Sequence, residues 1–135
     1  MALRLEIVTP EKRTFSDTVD LVVLPASEGE MGVYHNHTDL ITTLVPGELR
    51  YEKDGEEHDL AVGSGVVEVT ATSVSVLTDM AVREADIDEA AVQEALERAE
   101  KALQEKLGDE EIATVQAAIQ KSLAQLHLKR KRRRL

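Results

Sequence analysis

Leu24-Pro25-Ala26-Ser27-Glu28-Gly29-Glu30-Met31-Gly32-Val33-Tyr34-His35-Asn36-His37 follows a mostly apolar run over residues 19–24 and decides how the first half of the chain is read. Pro25 has no backbone N–H, so the sequence predicts that it ends the preceding strand or confines it to an edge. Gly29 and Gly32 loosen the backbone within four residues. Glu28 and Glu30 then belong at an exposed tip. A stretch this polar lies at the surface, where loops on a rigid scaffold make contacts.

Working outward, the first 80 residues read as short strands. Leu3, Leu5 and Ile7 alternate with Arg4, Glu6 and Val8, the period of a half-buried strand. Thr9, Pro10, Glu11 and Lys12 turn the chain, and residues 13–17 make a weak edge strand. Strands are expected over 19–24, 40–45, 48–52, 58–62, 66–70 and 74–78. Pro46-Gly47 and Asp54-Gly55 supply turn chemistry between them, as does Gly63-Ser64-Gly65. Frequent turns with no intervening helical period favour a sandwich or flattened barrel.

The period changes near residue 85. Asp86, with Glu89 three residues on, has the spacing of a capping box. Val92, Ala95, Leu96, Ala99, Leu103 and Leu107 recur at helical spacing. Gly108 is a natural stop and Asp109 a second cap. Ile112, Val115, Ile119, Leu123 and Leu126 form a second stripe. The fold class is therefore an all-β N-terminal sandwich followed by an α-helical hairpin, with residues 1–85 as one domain and 86–135 as the other. The hairpin's contact face is rich in Ala, and burial yields only about 25 cal/mol per Å². Its helices form readily but hold one another weakly.

Composition narrows the function. Aromatics are 2% of the 135 residues, so the core must be aliphatic. No cysteine is present, which excludes thiolate metal sites, thiol nucleophiles and disulfides. No run has the roughly 18 apolar residues of a membrane span, and no signal peptide is evident. Net charge is −10 and uneven: Lys129, Arg130, Lys131, Arg132, Arg133 and Arg134 supply six of the 16 basic side chains, and all 26 acidic ones precede them. An acidic body argues against nucleic-acid partners, because phosphate contacts dominate such affinity. No phosphate-binding loop occurs. His35 and His37 form a His-x-His pair, the kind that metal-binding cupins place on one strand. With His58 it defines one alternative, a small metal-dependent enzyme; a generic protein-interaction adaptor is the other.

The order Leu24-Pro25, Gly29, Gly32-Val33 and His37 resembles the signature loop of the epsilon subunit of the bacterial-type rotary ATP synthase. Gly63-Ser64-Gly65-Val66-Val67-Glu68-Val69 and Val74-Ser75-Val76-Leu77-Thr78-Asp79-Met80-Ala81 resemble that family's glycine turn and last strand. The resemblance runs in register from Leu3 to about Leu128. It implies a ten-strand sandwich and a non-catalytic rotor subunit without a cofactor, on the cytoplasmic face of the bacterial inner membrane. It implies contact of Glu28 and Glu30 with the c-ring and of His37 with the gamma subunit. It further implies that the C-terminal helices meet the alpha and beta subunits and inhibit ATP hydrolysis, with the basic residues 129–134 docking on an acidic segment of the catalytic subunit. Where relatives commonly read Pro-Gly-His-Ala-Pro, this chain has His35-Asn36-His37-Thr38-Asp39. Some relatives bind ATP through Ile/Leu-Asp-x-x-Arg-Ala. Here Asp88 is kept and Ala91 stands at the Arg position, which removes the fork that grips phosphate; Asp88 is a degenerate nucleotide-binding position.

Overall fold

Period-two alternation of aliphatic residues builds ten strands in the computed structural model, which describes residues 3–10 and 13–133, with side chains left out at 13, 14, 132 and 133. They are β1 (Leu3–Val8), β2 (Arg13–Val19), β3 (Leu21–Ala26), β4 (Gly29–Val33), β5 (Leu40–Leu44), β6 (Gly47–Lys53), β7 (Glu56–Val62), β8 (Gly65–Val69), β9 (Ser73–Thr78) and β10 (Ala81–Arg83). A 3-10 turn at Glu84–Asp86 leads to helices α1 (Glu89–Ala102) and α2 (Asp109–Arg133). The sandwich-plus-hairpin class is as the sequence predicts. Glu11 and Lys12 of the first turn lie outside the described residues.

The strands follow the order β10-β7-β6-β3-β5-β8-β9-β1-β2, with β4 on β3. All pairs are antiparallel except β1 with β9. The core is almost wholly aliphatic: Leu3, Leu5, Ile7, Val22, Leu24, Leu44, Leu49, Leu60, Val67 and Val76 are fully or nearly fully buried. The sheet folds back so that β2 meets β6. There Phe15 and Tyr51 pack with centroids 4.9 Å apart, and the Lys53 ammonium donates to Asp17 at 2.6 Å. That bond, with one from the Thr18 N–H, holds the Asp17 carboxyl below the usual carboxylate range and raises Lys53.

Pro25 corrects the expectation of a strand end. It lies within β3, because β3 changes partner there: residues 21–23 pair with β6, and Ala26 pairs with β5. The Pro25 carbonyl accepts the Val45 N–H at 2.9 Å. The same side of residue 25 would carry its own N–H, and it faces the junction between β5 and β6, where no ladder bond needs it. The expected loop is thus mostly a β-hairpin, β3–β4, turning at Ser27-Glu28. Asp54 and Gly55, both with positive φ, make the anticipated two-residue turn between β6 and β7.

Several helix signals were displaced. Asp88, not Asp86, caps α1; its Oδ1 accepts the Ala91 N–H at 3.1 Å. Asp86 belongs to the 3-10 turn. The hairpin is not joined at Gly108-Asp109: α1 stops at Ala102, so Leu103 and Leu107 lie in the connection. Gly108, rather than Asp109, precedes α2 as its cap, with its carbonyl accepting the Ile112 N–H at 3.0 Å. Glu111 reaches back to the Gly108 N–H, half of a capping box. Leu123 is exposed, whereas Ser122, Leu126 and Leu128 are buried. The basic run is no separate tail, since α2 continues through it to Arg133; Lys and Arg are good helix formers and favour a helix C-terminus.

Gly65 marks the tightest backbone approach in the sandwich: a Cβ there would fall onto the Leu77 carbonyl across the β8–β9 pair. Gly65→Ala is expected to cost about 1–3 kcal/mol, the range for forced overpacking, read as a lower midpoint in urea unfolding. For Asp17, whose carboxyl sits lower in the folded chain than unfolded, the contribution is present above about pH 4 and disappears as pH falls through the folded value. Asp17→Asn should therefore show less acid loss of stability than wild type when unfolding is compared at neutral and acid pH.

Candidate functional site

No enclosed catalytic arrangement emerges from the residues that the sequence singled out. Among the described residues no three His, Cys, Asp or Glu side chains gather as metal ligands. His35 and His37 sit on the connection between β4 and β5. His58 is on β7, stacked on Tyr51 at 4.9 Å and 3.9 Å from Glu56. The structure does not assemble these three histidines into a centre, so the metal-enzyme alternative fails on geometry. The His37 Nδ1–H donates to the Thr38 carbonyl at 2.7 Å, which ties the ring to its own loop.

The chemistry instead lies on surfaces. The first is the β3–β4 tip, where Glu28 and Glu30 are both exposed. A short hairpin carries them, with the Ser27 N–H at its turn donating to the Thr43 carbonyl of β5 at 3.0 Å. The second begins at the β4–β5 connection. Asn36 takes a positive φ, and its N–H donates to the Ala71 carbonyl at 2.7 Å, pinning the loop to the β8–β9 turn. Tyr34, 63% exposed, stands on this loop.

From there an apolar row crosses the outer face of the sheet. Register places Thr43 beside Val66, Val66 beside Leu77, and Leu77 beside Val8. Leu77 is 55% exposed, Val66 48% and Ile41 69%. These positions alternate with the buried Val67, Val76 and Leu44, so they must point outward. Single exposed aliphatics are ordinary, but a contiguous row marks a contact surface. The sequence reading missed this row. Its signal was present: apolar residues occupy both parities of residues 40–41, 66–67 and 76–77.

The third surface is the hairpin. Asp88 is engaged as a cap, and Ala91 offers only its N–H to that carboxylate. At the far end of α2 the cations are paired. Lys129 lies 3.4 Å from Glu84, Arg130 lies 3.4 Å from Glu89, and Lys131 lies 3.0 Å from Glu48. The side chains of Arg132 and Arg133, and all of Arg134, lie outside the described residues. An open groove of about 580 Å³ runs between this end of α2 and the start of β6, beside Pro46, Glu48, Leu123, His127 and Lys131.

The family model for the beta-sandwich domain of the ATP synthase delta/epsilon chain matches residues 2–84, and that for its long alpha-helix domain matches residues 85–129. The chain belongs to the ATP synthase delta/epsilon chain family. It is 44% identical over 127 residues to the ATP synthase epsilon chain of Nitrosococcus oceani, covering 93% of this chain and 91% of that one. It is 40% identical to that of Thioalkalivibrio sulfidiphilus, covering 99% and 96%. Its fold resembles a chain in the Euglena gracilis mitochondrial ATP synthase (OSCP/F1/c-ring), with TM-score 0.72, 24% identity, and coverage of 88% and 76%. It also resembles one in the Tetrahymena thermophila central stalk and c-ring, with TM-score 0.61, 15% identity, and coverage of 97% and 96%. Within this family the chain is an epsilon-type subunit of F-type ATP synthase, so what it offers is surfaces for neighbours. Among the described residues no helix is long and apolar enough to cross a membrane.

The local role of Asp88 is separable from any role in nucleotide binding. Asp88→Ala should lower hairpin stability by about 1 kcal/mol through the lost cap, measured by hydrogen exchange along α1. Calorimetric titration with ATP should give no micromolar binding for either the wild type or the variant.

Proposed function

We propose that this chain is a non-catalytic subunit of the central rotor of a proton-translocating F-type ATP synthase. It works as two parts, residues 1–85 as the attachment domain and 86–135 as a regulatory hairpin. The sandwich docks on the gamma subunit through the apolar residues Ile41, Val66, Leu77 and Val8, with the His37 loop beyond Ile41. The β3–β4 tip carries Glu28 and Glu30 to the polar loops of the c-ring. In this way a rigid body links rotation of the ring to rotation of the stalk. The chain is peripheral, on the cytoplasmic face of the bacterial inner membrane, and reaches the membrane only through its neighbours.

The hairpin inhibits ATP hydrolysis by changing partners. Folded against the sandwich, as here, it leaves rotation free. Extended along the stalk toward the alpha and beta subunits, it presents Lys129, Arg130, Lys131, Arg132, Arg133 and Arg134 to an acidic segment of the catalytic subunit. The two packings form a population equilibrium, and inhibition follows the extended share.

The observation that carries this reading is the unpartnered apolar row on the outer sheet face of a chain in this family. Val66→Glu with Leu77→Lys leaves the core untouched, because both side chains point outward and the new charges, opposite in sign, sit side by side across the β8–β9 pair. That double variant should retain its circular dichroism and melting temperature yet fail to co-purify with the solubilised synthase. Unchanged recovery with the complex would reject the docking face. Removing residues 129–135 should raise ATP hydrolysis by the assembled enzyme several-fold at low salt; unchanged hydrolysis would reject the inhibitory role of the basic end.

A further inference from the structure

Helix α2 approaches the sandwich with a one-way pattern of charge. Each cation is on the helix and each anion is on the body. Lys121 faces Asp79 in the β9–β10 turn at 3.6 Å, Lys129 faces Glu84 at 3.4 Å, and Lys131 faces Glu48 on β6 at 3.0 Å. Lys129 also donates to the Glu84 carbonyl at 3.2 Å, and Lys131 donates to both Glu48 oxygens. The two carboxylates at the helix end are the better covered partners: the Glu48 side chain is 17% exposed and that of Glu84 is 23%.

The apolar part of the same interface is small. Leu128 packs with Ala61 and Ile87, flanked by Met80, Val82 and Val92. Arg130 links α1 to α2 through Glu89 and Gln93, so α1 follows where α2 goes. Ion pairs at partly exposed positions weaken with salt, because the screening length drops from about 10 Å at 0.1 M to about 3 Å at 1 M. The small apolar cluster does not weaken this way. Two of the three ion pairs, and the two better covered carboxylates, sit at the end of α2, so most of the charge-dependent share of the docking lies there.

We propose that Glu48 and Glu84 form an ionic clasp that keeps the cationic end of α2 on the sandwich. High ionic strength opens it. So does an acidic protein surface that competes for Lys129 and Lys131. The two carboxylates act as internal decoys: while they hold these lysines, the same side chains are unavailable to another partner. The identity of the competing surface rests on the rotor reading above; the clasp itself is a property of the isolated chain.

The chain has no cysteine, so a labelling pair can be introduced cleanly. Glu68→Cys on the outer face of β8 and Gln116→Cys on α2 are both at exposed positions outside the clasp. Spin labels on the full chain report the distance between sandwich and helix by pulsed dipolar spectroscopy. At low salt a single docked distance is expected. At about 0.5 M salt, where screening is several-fold stronger, a second, longer distance should grow. Glu48→Gln with Glu84→Gln should lower the docked-to-released ratio about fivefold at low salt, in line with two partly exposed pairs. The swap Glu48→Lys with Lys131→Glu should restore docking relative to Glu48→Lys alone. A ratio unmoved by salt overturns the clasp. A ratio that salt moves but neither the Gln pair nor the swap affects overturns its assignment to Glu48 and Glu84. Failure of the unlabelled wild-type chain to co-purify with the synthase would sink the rotor reading and leave these distances unaffected.

Discussion

Strict alternation along ten short strands is the constraint on which the rest depends. With one Phe, two Tyr and no Trp, the sandwich has few large rings, and Phe15 with Tyr51 anchor it only where β2 meets β6. It is filled by Val, Leu and Ile at every second position. A slip of one residue in any pairing would turn that whole set outward, so register is fixed strongly wherever one face is buried. The same alternation determines what is left outside. On β5, β8, β9 and β1 the remainder is apolar at Ile41, Val66, Leu77 and Val8. Elsewhere it is charged, as on β6 and β7, where Arg50 pairs with Glu57. The core and the docking face are thus two outcomes of one pattern.

The hairpin is governed by a different balance. Fully burying a leucine contributes about 1.5–3 kcal/mol, and the partly exposed ion pairs about 0.2–1 kcal/mol each. Leu126 and Leu128 are the large aliphatic side chains that α2 buries fully. On these figures the two leucines contribute more than the three pairs together, so packing carries most of the docking and charge adjusts it. Within the sandwich, by contrast, every strand is held by a ladder and by an aliphatic core. The chain therefore combines a rigid body with an appendage whose docking is adjustable.

How much of this was legible depended on whether the signal was local. The Asp54-Gly55 turn was legible because both residues tolerate positive φ and the strands on either side alternate. Pro25 misled because its effect depends on which neighbour β3 has at that level, a nonlocal fact. β4 and β10 were missed for a related reason. Gly29–Val33 reads as loop by composition, and Ala81–Arg83 is too short to show a period; pairing with β3 and β7 makes them strands. Helix caps were off by one or two residues because Asp86 and Asp88 are equally good caps in isolation, and the 3-10 turn decides between them. Leu123 fitted the helical stripe, but Leu128 shows that α2 rolls toward the sandwich near its end, so the buried line drifts around the helix. Glu28 and Glu30 were expected at an exposed tip and lie at one. Their partners were not legible, because a surface acquires meaning from what meets it.

The basic end of α2 joins these strands of argument. As sequence it reads as a free cationic tail. As structure it is the last turns of a helix, and its described cations face Glu48, Glu84 and Glu89. A phosphate-bearing ligand seeking cations there would have to displace those carboxylates, and Asp88 at the start of α1 is already occupied in capping. An acidic protein surface faces the same competition, yet it can exchange several pairs at once and so offset the loss of each. Between a small anion and an extended acidic surface, the geometry favours the surface as the competitor in the proposed release of this helix.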